Sequence, residues 1–178
     1  EETLLKNLHA IQEENDLDAT PEQEFKKNGF NFSVEMETGT GKTYVYLRTV
    51  FELSQKFGFK KFIIVVPSVA IREGTVKNIE ITSDHFKALY NNIEFEYFVY
   101  DSKKANRLRQ FATSNQLQIM IINIDAFNKD TNIFNQEHNQ LNGFSPKEFI
   151  NSVRPFVLID EPQSVDNTTK AQEAIKSL

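Results

Sequence analysis

The sequence predicts an α/β protein, a mostly parallel sheet flanked by helices. Three observations predict it. A glycine-rich octapeptide, Met36-Glu37-Thr38-Gly39-Thr40-Gly41-Lys42-Thr43, stands between an alternating apolar stretch and a helix-spaced one. Unbroken apolar runs recur at Lys60–Pro67, Gln118–Ile124 and Phe156–Ile159, as in strands covered on both faces. Helical stretches separate these runs, so strands and helices alternate along the chain.

The elements follow in order. The chain opens, without Met, on a helical stretch with Leu4, Leu5, Leu8 and Ile11 on one face. Thr20-Pro21-Glu22-Gln23 is a capping box with proline at the first helical position, so a second helix starts there. Residues 30–36 alternate as a strand does, and Tyr44–Phe57 carries apolar residues at helical spacing. After the Lys60–Pro67 strand, a helix is predicted from Val69 to Tyr90 and a strand over Glu94–Tyr100. Ser102–Thr113 reads as a basic helix. Residues 128–145, rich in Asn, Gln and Asp, read as a surface loop ending at a second capping box, Ser145-Pro146-Lys147-Glu148. The last helix is expected over 168–178. The expected organisation is an N-terminal helical segment, 1–29, followed by an incomplete domain, 30–178, of a longer protein.

Bulk composition narrows the function. A chain of 178 residues, 39% hydrophobic, can bury one real core. It has no cysteine, which excludes disulfides and thiolate metal sites. His9, His85 and His138 stand far apart, in no metal-ligand spacing. No apolar run approaches a membrane span and no secretory leader opens the chain, so the expected compartment is the cytoplasm. Net charge is −5, which offers no bulk attraction to nucleic acid; any DNA contact must be local.

The octapeptide has the pattern of a phosphate-binding loop. Gly39 and Gly41 can take backbone angles closed to other residues and bring main-chain N–H groups against a phosphate. The helix that starts near Lys42 points its unpaired N–H groups and positive dipole end at the same anion. Lys42 reaches the outer phosphates, and Thr43 offers a hydroxyl to magnesium, a hard cation that prefers oxygen. The bland alternative is a glycine turn with an exposed lysine. Met36 departs from the pattern, since many such loops begin with Gly or Ala.

Such a loop needs an acid to hold magnesium and a group to orient water. Two apolar strands end in Asp: Ile121-Ile122-Asn123-Ile124-Asp125 and Val157-Leu158-Ile159-Asp160-Glu161. Asp125 is followed by Ala126 and Phe127. Asp160 is followed by Glu161, and the pair divides the labour, Asp160 for the metal and Glu161 for the attacking water.

With both motifs placed, the chain resembles superfamily-two helicase-like ATPases. Met36–Thr43 looks like their motif I, and Asp160-Glu161-Pro162-Gln163 like their motif II. Val65-Val66-Pro67-Ser68-Val69-Ala70-Ile71-Arg72-Glu73-Gly74 stands where motif Ia is expected. Ile122-Asn123-Ile124-Asp125-Ala126-Phe127-Asn128 stands where a later DNA-side motif is expected. Together, over residues 30–163, the four segments are similar to the Res subunit of type III restriction-modification enzymes. The motor subunit of type I restriction enzymes is the runner-up.

The resemblance implies a RecA-like first motor domain that uses ATP and Mg2+. It implies work on double-stranded DNA with a methyltransferase (Mod) partner, and DNA cleavage. By that resemblance Glu37, Thr38, Gly39, Thr40, Gly41, Lys42 and Thr43 bind nucleotide. Thr43 and Asp160 hold the metal, and Lys42, Asp160, Glu161 and Gln163 are catalytic. Pro67, Ser68, Arg72, Asn123 and Phe127 would lie along DNA. The family's second RecA-like domain, with its transition-state arginine, and its nuclease domain do not fit in 178 residues. No adenine-reading glutamine stands out; Gln12 is of the right type only. Lys103, Lys104, Arg107 and Arg109 form a local basic run, whose plain reading is a solvated helix face. From a different class, a P-loop kinase would share the loop. No arginine-rich acceptor lid is visible, and the acid pair suits water attack better.

Overall fold

A computed structural model describes residues 2–28, 31–126 and 145–165. The chain divides into two compact units, 1–40 and 41–178.

In the first unit, helices α1 (Glu2–Glu14) and α2 (Glu22–Asn28) form as expected. Gln12 ties the connection between them. Its side-chain Nε2 donates to Thr20 Oγ1 at 2.8 Å, and Thr20 N–H donates to Gln12 Oε1 at 3.0 Å. His9 meets the Thr20 carbonyl at 2.8 Å. Gln12 is thus occupied in holding a turn. The strand expected over 30–36 is a correction: the described residues 31–36 carry no regular structure. Phe32 and Val34 stand 53% and 76% exposed. An alternating pattern makes a strand only where a neighbour offers its ladder, and no described strand pairs with this segment.

The second unit is a sheet of four parallel strands in the order β2-β3-β1-β4. They are β1 (Lys61–Val66), β2 (Phe95–Val99), β3 (Leu117–Asn123) and β4 (Phe156–Ile159). Its helices are α3 (Lys42–Phe57), α4 (Val69–Leu89), α5 (Ala105–Thr113), α6 (Pro146–Asn151) and the short α7 (Pro162–Val165). From Lys42 onward the four strands and helices α3 to α6 match the sequence reading, whereas the short α7 has no counterpart in it. The expected last helix at 168–178 and the loop residues 128–144 lie outside the described residues, as does Phe127.

Strand alternation decides which face each residue covers. Ile63, Val65, Met120 and Ile122 pack with Leu108 and Phe111 of α5 and Ile150 of α6. Phe62, Ile64, Val66, Ile119 and Ile121 pack with Leu47, Val50 and Phe51 of α3 and Ile79 and Phe86 of α4. Central β1 and β3 therefore read as unbroken apolar runs. Phe51 stacks on Phe86 at 4.7 Å and on Tyr90 at 5.4 Å, and meets Phe95 edge-on at 5.0 Å. Truncating such a buried ring costs about 3–5 kcal/mol.

Helix ends follow local chemistry. Gly58, at φ 77°, closes α3, and its N–H returns to the Ser54 carbonyl. Ser68 caps α4 by accepting from Ile71 N–H at 3.3 Å. The Ser145 capping box forms as the sequence predicts: Ser145 accepts from Glu148 N–H, and the Glu148 side chain accepts from Ser145 N–H.

Candidate nucleotide site

In the first unit, the octapeptide turns at Glu37, whose carbonyl accepts from Thr40 N–H at 3.3 Å and from the Thr40 hydroxyl at 2.6 Å. Gly39 has φ 82°. In the second unit, Gly41 opens α3 at φ 94° and ψ 28°. A Cβ at Gly41 would meet nothing within 4 Å, so the glycine is required by backbone conformation and not by space. No side chain caps α3. Its first amides keep the donor capacity and dipole that favour an anion.

Lys42 and Glu161, 119 positions apart, meet with Nζ 2.8 Å from Oε1. Glu161 also accepts from Gln163 Nε2. Its backbone is left-handed, at φ 52°, a conformation that costs a non-glycine residue free energy and concentrates at functional sites. Asp160 continues the ladder beyond β4, its N–H donating to the Val65 carbonyl at 2.9 Å. Its carboxylate Oδ2 accepts from the Tyr46 hydroxyl at 3.4 Å.

The two neighbouring acids are pushed apart. Burial, and then the charge of Glu161, raise Asp160 above the usual carboxylate range. The Lys42 ammonium and then Gln163 hold Glu161 below it. Adjacent carboxyls driven in opposite directions are suited to different roles. Tyr46 is pushed up to about 12, chiefly by burial. Sequence reasoning missed it. The available signal was its place three residues after Thr43, on the same helix face.

The oxygen-only set of Thr43 and Asp160 suits magnesium, and Lys42 beside an uncapped helix start suits a phosphate. The residues present therefore fit a phosphate group with Mg2+.

Pro67, Ser68 and Asn123 follow or end β1 and β3 at the carboxyl side of the sheet, the end that also carries Asp160. Ligands of open parallel sheets gather at that end. The Ser68 hydroxyl is engaged in capping α4. Arg72, in the first turn of α4, pairs with Glu73 at 2.8 Å. Asp125 lies in a 3-10 turn, Ile124–Ala126, where its N–H donates to Asn123 Oδ1 at 2.9 Å. Lys103, Lys104, Arg107 and Arg109 are exposed, whereas Leu108 and Phe111 face the core. Lys104 lies 3.7 Å from Asp101. His85 meets the Tyr44 hydroxyl at 2.9 Å. Among the described residues no cluster of three His, Asp or Glu could hold a metal, and no helix is long and apolar enough to cross a membrane.

A parallel four-stranded sheet flanked by helices, with a glycine-turned lysine and a strand-end acid pair, defines a RecA-like α/β domain. A profile of the family described as type III restriction enzyme, res subunit, matches residues 5–177, and the chain belongs to that family. It is 36% identical to the Res subunit of the type III restriction-modification enzyme StyLTI from Salmonella typhimurium, over 83% of this chain and 17% of that one. It is 31% identical to the EcoPI Res subunit of Escherichia phage P1 and 30% identical to the EcoP15I Res subunit of Escherichia coli. Each of these two matches covers 99% of this chain and 20% of the relative. The chain thus spans about a fifth of the length of the curated relatives it matches.

Proposed function

We propose that this chain is the ATP-binding and hydrolysing motor segment of a type III restriction endonuclease, using ATP and Mg2+ to drive translocation or switching on double-stranded DNA. In this reading residues 30–178 form a first RecA-like domain behind a helical segment, 1–29. A second RecA-like domain and a nuclease complete the enzyme, which works in the cytoplasm with a Mod methyltransferase.

One observation carries the reading: Lys42, at the first turn of the helix after the glycines, touches Glu161 beside Asp160. A phosphate-binding lysine and the acid pair of a different strand are in the same place, as phosphoryl transfer to water requires. Residues Glu37–Thr43 cradle the phosphates, with Lys42 on the outer ones. Thr43 and Asp160 would hold Mg2+, which would supply positive charge against the phosphates. Glu161 orients and polarises the water, and Gln163 holds Glu161. The contact with Glu161 keeps Lys42 in place before nucleotide arrives. Pro67, Ser68, Arg72 and Asn123 are the proposed DNA-backbone side; such contacts position a duplex without reading its sequence.

Calorimetric titration of ATP–Mg into the wild-type protein and Lys42→Ala tests this. Binding is expected in the wild type and lost in the variant. Equal affinity in the two would overturn the assignment.

A further inference from the structure

The Tyr46 hydroxyl joins an acid of the nucleotide reading to a helix which that reading leaves aside. It donates to Asp160 Oδ2 at 3.4 Å, the long end of a hydrogen bond. It stands 3.2 Å from Thr75 Oγ1. Thr43 and Tyr46 are three apart on α3 and share a face. Thr75 is 2% exposed, in the body of α4. The Tyr46 ring packs against the core cluster of α3, α4 and the sheet. The hydroxyl is therefore held from behind, on a ring with little freedom.

A buried phenol needs one partner, and Thr75 alone would satisfy it. Reaching Asp160 as well does something further. A phenol donates once and accepts twice. With its proton given to Asp160, it accepts from Thr75. Asp160 Oδ2, at β4's end, is thereby oriented by one fixed atom of α3 that is itself held from α4.

We propose that Tyr46 is the positioning residue of the magnesium site, fixing the Asp160 carboxylate against the helix that carries Thr43 and tying it to α4 through Thr75. This rests on the nucleotide reading above. It adds a route by which α4, capped by Ser68 and carrying Arg72 in its first turn, bears on Asp160.

The test is Tyr46→Phe in the full Res–Mod enzyme, which keeps the ring and removes the hydroxyl, with Thr75→Val as a second, isosteric variant. Two quantities are measured: ATP affinity in EDTA, and the Mg2+ concentration that half-saturates tight nucleotide binding, checked with Mn2+ by electron paramagnetic resonance. In Tyr46→Phe, ATP affinity in EDTA is expected to stay unchanged while the Mg2+ midpoint rises about tenfold, the size of one hydrogen bond to a charged group. Thr75→Val should move the midpoint the same way by less. An unchanged midpoint overturns the proposal, and so does an equal loss of affinity with and without metal, which marks a merely structural role. Wild-type enzyme that binds no nucleotide overturns the nucleotide reading itself, a failure seen without any variant.

Discussion

The sheet carries a polar cluster at each end, and the two are built differently. At the amino end, Lys61, Gln118 and Glu96 sit side by side across β1, β3 and β2. Lys61 Nζ donates to Gln118 Oε1 at 2.7 Å, and Gln118 Nε2 donates to Glu96 Oε2 at 3.0 Å. Gln110 donates to the same oxygen at 2.9 Å, and Phe111 lies under the Lys61 ammonium at 5.4 Å. None of these four polar residues has a positive φ. At the carboxyl end, Lys42 and Glu161 also pair, but Glu161 is left-handed and Asp160 is raised by burial and a like charge. Both ends hold a lysine, a glutamate and a glutamine. The amino-end cluster satisfies its groups in ordinary backbone, although burial lowers Lys61; the carboxyl-end cluster sets a left-handed glutamate beside a like charge. Conflict left in place marks the end where chemistry is poised.

The largest expected effect comes from neutralising the strained acid. Glu161→Gln keeps an oxygen for Lys42 but cannot polarise water as a carboxylate does. ATP hydrolysis is expected to fall ~100- to 10,000-fold with ATP binding within a few-fold. Retained turnover would reduce Glu161 to a counter-ion for Lys42 and erase the contrast. The matching change at the amino end is Lys61→Met. Gln118, 1% exposed, loses the donor to its Oε1, which costs about 1–3 kcal/mol of stability. Thermal unfolding should register that loss while nucleotide affinity and turnover stay at wild-type values. A drop in turnover beyond the loss of folded protein would mean the two ends are coupled.

Much of this contrast is legible in the residues. Local signals carry the glycine turn, the strand-end acids and the Ser145 capping box, because each depends on neighbours in sequence. The four strands are legible because β1 and β3 are buried on both faces and read as apolar runs. Pairing across long separations is not legible. Residues 31–36 alternate as a strand does, yet Phe32 and Val34 stay exposed, because a strand also needs a partner's ladder. The Tyr46 hydroxyl contacts join α3 to α4 and to β4's end, and Glu161 takes a left-handed backbone. Neither follows from residue type. The Lys61–Gln118–Glu96 row follows only from register, which the sequence leaves open until β3 is set beside β1.

The smallest expected effect is in pH, where the two acids of the carboxyl end act with opposite signs. Glu161 lies below its ordinary 4.5 because of Lys42 first and Gln163 second. A depressed folded value means its contribution to stability is present above 4.5 and is lost as pH falls through the lowered value. Asp160 lies above its ordinary 3.8, so its contribution is present below 3.8 and is lost as pH rises through the raised value. Lys42→Ala removes the first cause of the Glu161 shift and leaves the burial of Asp160. Urea unfolding, followed from about pH 6 to about pH 3 at low and high salt, separates the two terms. Wild type should lose stability more steeply than Lys42→Ala below 4.5, and added salt should narrow the gap, since the pair is partly exposed. Parallel curves at low salt would mean that Lys42 and Glu161 do not hold each other in solution. The lysine would then stand free for an anion, and the conflict at this end would rest on Asp160 alone.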